Sequence, residues 1–163
     1  LFLSYLEYPK AVSAARTHLM LLDKNNRFLS YQSWVVETNC IINEPSMQLL
    51  ATGVGGGLYP PHTICDAFMD ISLINRICPF ADDLWLRAAE IVCDIPVVLA
   101  YPFNDLEYVP GSQISGLYQI NVDSGGNDRQ WESINQWLDS EYGSDFLAKK
   151  VRKPVIGRDI DNI

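Results

Sequence analysis

The stretch "CPFADDLWLRAAEIVCDIPVVLAY", Cys78 to Tyr101, carries the signals of two different elements in succession. After Pro79, Asp82 or Asp83 stands at the N-terminal end of a run in which Leu84, Trp85, Ala88, Ala89, Ile91 and Val92 recur until Pro96. Carboxylates favour the positive end of a helix and a proline cannot continue one, so the run predicts a helix. "PVVLAY" then reads as a short buried strand. Strand and helix signals side by side point to an α/β or α+β domain and not to a helical bundle.

Downstream, "SGGNDRQWESINQWLDSEYG", residues 124–143, reads as a glycine turn, an aspartate cap and an amphipathic helix. Trp131, Ile134, Trp137 and Leu138 share one side of it, and Gly143 ends it. Residues 143–163, with Pro154 and Gly157, predict a loosely held tail behind a domain spanning residues 1–142. Upstream, a short amphipathic helix stops at Pro9. "AVSAARTHLMLLD", residues 11–23, suits a strand, "KNN" a turn, and "RFLSYQSWVV", residues 27–36, a returning partner in a hairpin. "MQLLATGVGGGLYPP" is a strand running into a glycine-rich bend, and residues 62–78 hold one or two short helical turns. There is no internal repeat.

The chain has 163 residues, 48% of them hydrophobic, enough for one domain with a real core. A net charge of −8 argues against a broad nucleic-acid surface, which needs positive charge to displace counterions. No apolar run reaches the length of a membrane span, and the chain reads as soluble and cytoplasmic. Cys40, Cys65, Cys78 and Cys93 are spaced too widely for a zinc knuckle, and each is read as a small buried hydrophobe.

The bend "TGVGGGLYPPH", Thr52 to His62, has the glycine density of a phosphate cradle but neither of the two known patterns. No lysine followed by serine or threonine opens a helix, and Leu58 stands where a dinucleotide fingerprint needs glycine. What remains is bare backbone that admits positive φ and close approach: a tight bulge at a strand end, or one wall of a site. The pair Asp82 and Asp83 reads either as a helix cap with its neighbour or as a carboxylate in a half-buried cleft. There, apolar Phe80 and Trp85 would raise its pKa and fit it to accept a proton from a hydroxyl. Asn127, Asp128 and Arg129 are a turn plus cap, or short polar groups at a pocket rim. Arg16 and His18 form a fourth candidate, although a lone strand histidine is more often structural.

"TGVGGGLYPP", then "CPFADDLWL", then "GGNDRQW" resemble, in that order, the C-terminal part of a group of bacterial glycosyltransferase-like proteins of polysaccharide biosynthesis. "ARTHLM" and "YQSW" are similar to that group as well, so the resemblance covers roughly residues 1–142. It implies an α/β fold with a mixed sheet flanked by helices, of the GT-A type and incomplete here, which binds a nucleotide-sugar donor and a carbohydrate acceptor. It implies an inverting transfer with Asp83 as catalytic base and Asp82 as its capping or acceptor-binding neighbour. Gly55, Gly56, Gly57 and Tyr59 would line the sugar or acceptor site, and Asn127 and Asp128 would close over the substrate. The full-length enzyme would hold a divalent metal, Mn or Mg, on an Asp-x-Asp motif that this chain lacks at the expected place; the "DID" at residues 159–161 lies in the tail. No metal ligand is therefore assigned. The missing motif fits a piece that begins downstream of the nucleotide-binding half, and it equally fits a protein without activity. The competing readings are a non-catalytic carbohydrate-binding or interaction module, and a structural domain whose motifs are only turns and caps.

Overall fold

A computed structural model of the chain describes residues 1–36, 41–101 and 119–152. The architecture is mixed α/β, with a small mixed sheet, a second two-stranded sheet and helices packed against them. The order is α1 (Phe2–Glu7), β1 (Val12–Ala14), β2 (Thr17–Leu19), β3 (Leu49–Ala51), β4 (Gly57–Leu58), α2 (Ile71–Ile77), α3 (Asp82–Val92), β5 (Val97–Leu99), α4 (Gly126–Tyr142) and α5 (Phe146–Val151).

β1 is the middle strand of the mixed sheet, antiparallel to β4 and parallel to β5, with Ala14 opposite both Gly57 and Leu99. The parallel pairing requires a long crossover, and α3 lies in it directly before β5. β2 and β3 pair antiparallel, His18 opposite Leu50. Residues 11–23, expected as one strand, are therefore two strands in two sheets. The chain turns at Ala15 and Arg16, where the Ala15 amide donates to Gly56 O and the Arg16 carbonyl accepts from Thr52 N. The expected hairpin is correspondingly reduced: a turn at Asp23 to Arg27 and single bridges Leu22 to Phe28 and Leu19 to Val35 remain, while the strand partner of β2 is β3.

Two apolar clusters form the core. The larger holds the inner faces of α3 and α4, including Leu84, Trp85, Ala88, Ile134 and Leu138, against Met20, Leu50 and Phe68. Trp85 stacks on Trp137 and its indole N–H donates to Phe68 O at 3.0 Å, which places it in the core as its helical spacing predicts. The smaller cluster lies among the strands: Val12, Ala14, Leu49, Ala51, Val97 and Leu99, with Tyr59 packed on its edge. Of the tail expected over residues 143–163, residues 146–151 form a packed helix, and residues 153–163 lie outside the described residues. α5 buries Leu147, Ala148 and Val151, and Lys150 donates to Val92 O at the end of α3 and pairs with Asp94. The apolar spacing Leu147 to Val151 holds this last helix to the core.

The Arg87 guanidinium, wholly buried within α3, pairs with Glu90 one turn on and donates to Met47 O at 2.7 Å and Ile95 O at 3.3 Å. Burial pushes the Glu90 carboxyl above its ordinary range, and the guanidinium beside it works against that rise. Removing one partner of such a pair strands the other charge in the core. Arg87→Met is expected to cost about 3 to 5 kcal/mol in urea unfolding, whereas Arg87→Met with Glu90→Leu should recover most of the loss. Equal destabilisation by the single and double variants would contradict the role assigned to the pair.

Candidate functional site

The N-terminus of α3 carries the Asp82 and Asp83 carboxylates within electrostatic reach of Tyr59, which follows the glycine bend. Ala81 is the cap residue and makes no side-chain cap bond, so Asp82 and Asp83 occupy the first two helical positions. It is Asp83, and not Asp82, that accepts from a helix amide: its Oδ1 takes the Leu84 N–H at 2.9 Å. The contact with a first-turn amide expected of Asp82 therefore falls to the residue expected to be the base, because the amide of Leu84, directly after Asp83, belongs to the first turn, whose amides are short of partners within the helix. Asp82 is exposed and Asp83 half-buried.

Loss of water is the main influence on Asp83. Burial, reinforced by the neighbouring Asp82 carboxylate, pushes its pKa up from 3.8 to about 6, while the Leu84 amide, its own amide and the Arg16 guanidinium pull the other way. The protein thus holds a carboxylate that changes charge near neutrality at the mouth of a helix. That is the property needed of a group that takes a proton from a hydroxyl at physiological pH.

Tyr59 closes this region from the bend. It is half-buried, and burial first, then the Glu90, Asp83 and Asp82 carboxylates, push its phenol above its ordinary value. It stays a neutral hydrogen-bonding group on the flank of the acidic pair. Cys78, which the sequence did not single out for this region, lies beneath it: its thiol donates to Ala81 O at 3.1 Å, and burial pushes it up to about 12, with Asp83 and Asp82 adding to the rise. A thiol held so firmly protonated is inert, as expected for a buried small hydrophobe. Cys65 and Cys93 are half-buried and free; Cys40 lies outside the described residues.

The bend is a 3-10 turn over Gly53–Gly55 followed by β4. Gly56 sits at φ +87°, which an L side chain rarely adopts. A Cβ on Gly55 would collide with the Cβ of Arg16 and lie 3.1 Å from its amide nitrogen. Gly57 pairs with Ala14 in the sheet. The glycines therefore serve a close backbone contact with the turn between β1 and β2, and the signal for that partner was absent from their local sequence.

Asn127 and Asp128 lie in the first turn of α4. Gln130 accepts from the Phe80 amide at 2.8 Å and Asn121 donates to Phe80 O, so the start of α4 is anchored two residues before Asp82. Asp128 is not a cap for its own helix. Gly125, in the left-handed conformation, is the cap residue, and the Asp128 carboxylate accepts the Tyr31 backbone N–H. That bond joins α4 to the segment after the Asp23 turn, which gives Asp128 a structural task. Asn127 is buried, and its Oδ1 has no hydrogen-bond partner. His18 is buried edge-on to Tyr31, the structural setting expected for a strand histidine. The Arg16 turn thus packs on the glycine bend, the Asp82 and Asp83 carboxylates act electrostatically on Tyr59, and Asp128 is bonded to the Tyr31 amide.

Among the described residues, no three His, Cys, Asp or Glu side chains gather as ligands for a metal ion, and the residues present do not fit one. The "DID" of residues 159–161 lies outside the described residues. Among the described residues, no helix is long and apolar enough to cross a membrane. No protein-family model matches the chain, and neither does any curated protein or solved structure. The class that can be stated is a mixed α/β domain with a mixed sheet and helices.

The raised Asp83 pKa has a sign that can be checked. A carboxyl whose folded pKa exceeds its unfolded value contributes stability that is fully present below pH 3.8 and lost as pH rises through about 6. Relative to Asp83→Asn, the wild type should lose roughly 1 to 3 kcal/mol between pH 4 and pH 7, read from urea unfolding at both values. A difference independent of pH would mean that Asp83 titrates as an ordinary surface carboxylate.

Proposed function

We propose that this chain is the acceptor-side part of a nucleotide-sugar glycosyltransferase of the GT-A type, in which Asp83 takes the proton from the attacking acceptor hydroxyl. The observation that carries the reading is the half-buried Asp83 carboxyl with its pKa of about 6, set against a bare glycine bend. A base of this strength is poised near the pH at which an acceptor oxygen must lose its proton, whereas a free carboxylate is too weak. The resemblance of the three motifs supplies the substrate class: an activated sugar and a carbohydrate hydroxyl.

In this reading, the Leu84 amide holds one carboxylate oxygen of Asp83 and leaves the other to meet the acceptor. Tyr59 stays protonated and offers a phenolic donor and an aromatic edge to a sugar ring. The bond that forms is between acceptor oxygen and anomeric carbon; the bond that breaks is between that carbon and the diphosphate oxygen, with the proton left on Asp83. A divalent metal in the full-length enzyme would neutralise the departing diphosphate, and no residue of this chain is assigned to hold it.

The test is turnover of nucleotide-sugar donors by the full-length protein with oligosaccharide acceptors. Asp83→Asn should lower kcat by 100-fold or more with little change in donor KM, as removal of a general base does. Activity of the Asn variant equal to wild type would remove the proposed base. Oligosaccharide binding with no turnover in either protein would favour a carbohydrate-binding module.

A further inference from the structure

We propose that Cys65 and Cys93 form a redox-modification site, at which a small disulfide such as oxidised glutathione converts the two thiols into one bond joining the turn before α2 to the end of α3. The site stands apart from the transferase reading and does not depend on it.

Two local structures bring these thiols together. Cys65 opens the 3-10 turn Asp66–Phe68, and its carbonyl accepts the Phe68 amide at 2.9 Å. That turn is fastened to α3: the Trp85 indole N–H donates to Phe68 O at 3.0 Å, and the two rings lie 5.0 Å apart. Cys93 ends α3, its amide donating to Ala89 O at 3.0 Å. Its thiol lies within hydrogen-bonding reach of the Cys65 side chain and of the Cys65 backbone amide. A disulfide needs Cβ atoms about 3.5 to 4.5 Å apart, so thiols already side by side are the ones that can form it without moving the backbone. Both cysteines are half-buried, open in part to solvent, whereas Cys78 is buried and donates to a carbonyl.

A third group completes the cluster. Lys150, from α5, donates to Val92 O at 2.9 Å and to Asp94 Oδ2 at 2.6 Å, the residues on either side of Cys93. Burial first, then the contact with Cys65, holds the Cys93 thiol above its ordinary value, while the Cys65 amide and the Lys150 ammonium work against the rise. Cys93 therefore keeps its proton at the outset, and Cys65 attacks first. The Cys65 thiolate bonds to one sulfur of the small disulfide, whose S–S bond breaks, and the first small thiolate leaves to be protonated by solvent. Cys93 then loses its proton beside the Lys150 ammonium, and its sulfur attacks the Cys65 sulfur of the mixed disulfide. The second small thiolate departs. Two electrons pass from the protein thiols to the small disulfide, which ends as two thiols.

The experiment treats the reduced wild-type chain with oxidised glutathione at about pH 8, where thiolates form, and reads the intact mass and the chymotryptic peptides. Cleavage at Leu49 or Leu50 separates Cys40 from Cys65 and so identifies the partner of Cys93. Expected is a loss of about 2 Da, the two thiol hydrogens, with a peptide pair linked through Cys65 and Cys93 and separated again by dithiothreitol. Cys93→Ser should stop at a mixed disulfide on Cys65, heavier by one glutathione. The link should form roughly tenfold or more faster in the folded chain than in urea, because the fold holds the sulfurs together. Both thiols left free, glutathione on each without a link, or a link formed no faster in the folded chain would overturn the proposal. No sugar nucleotide takes part, so the result bears on this site alone.

Discussion

Arg87 carries a guanidinium into the core, where Glu90 neutralises it and the carbonyl oxygens of Met47 and Ile95 accept hydrogen bonds from it. Those two carbonyls belong to the approach to β3 and to the loop before β5, so one side chain fixes α3 against both sheets. The penalty for burying the charge is met only while all of these partners are in place. That makes α3 hard to shift along its axis. Its N-terminus, with Asp82 and Asp83, is therefore presented at one fixed height relative to the bend that leads into β4.

The same rigidity explains why the acidic pair can be unusual. A flexible helix end would let Asp83 swing into water and titrate near its ordinary value. Bonded to the Leu84 amide and largely withdrawn from water, it cannot, and its charge becomes a property of the fold. α4 contributes from the other side by tying Phe80 through Gln130 and Asn121, which steadies the residues leading into α3. Structural polar bonds and the candidate chemistry are thus spread over the same few residues. Asp128 is the clearest example, since the carboxylate placed at a pocket rim by its sequence neighbours holds the Tyr31 amide instead.

The two long helices were legible because each has enough turns for an apolar stripe to repeat: Leu84, Ala88 and Ile91 on one, Trp131, Ile134 and Leu138 on the other. The strands were much less so. β1, β3 and β5 are each three residues long and buried throughout, so no alternation of polar and apolar residues marks their faces. Ser13, Thr17 and His18 are as buried as their apolar neighbours, which hid the break at Ala15 and Arg16. α5 was missed because Pro154 and Gly157 dominated the reading of a segment whose apolar residues lie just before them. At the site, the special nature of the glycine bend and of the adjacent aspartates was readable. That Asp83 rather than Asp82 takes the helix amide was not, since adjacent positions differ only in where the first turn points them.

By itself the sequence determined the two long helices and the exclusion of a phosphate cradle at Thr52 to His62, which follow from spacing and from what glycine and proline permit locally. Only the tertiary structure decided which residues meet: Gly55 against Arg16, thirty-nine positions earlier, and the Asp128 carboxylate against the Tyr31 amide. The reason is physical. Conformation within a few residues is governed by sterics and hydrogen bonding along the chain, whereas the charge state of a buried carboxyl is set by water removed and ions brought near, and both arrive from distant segments.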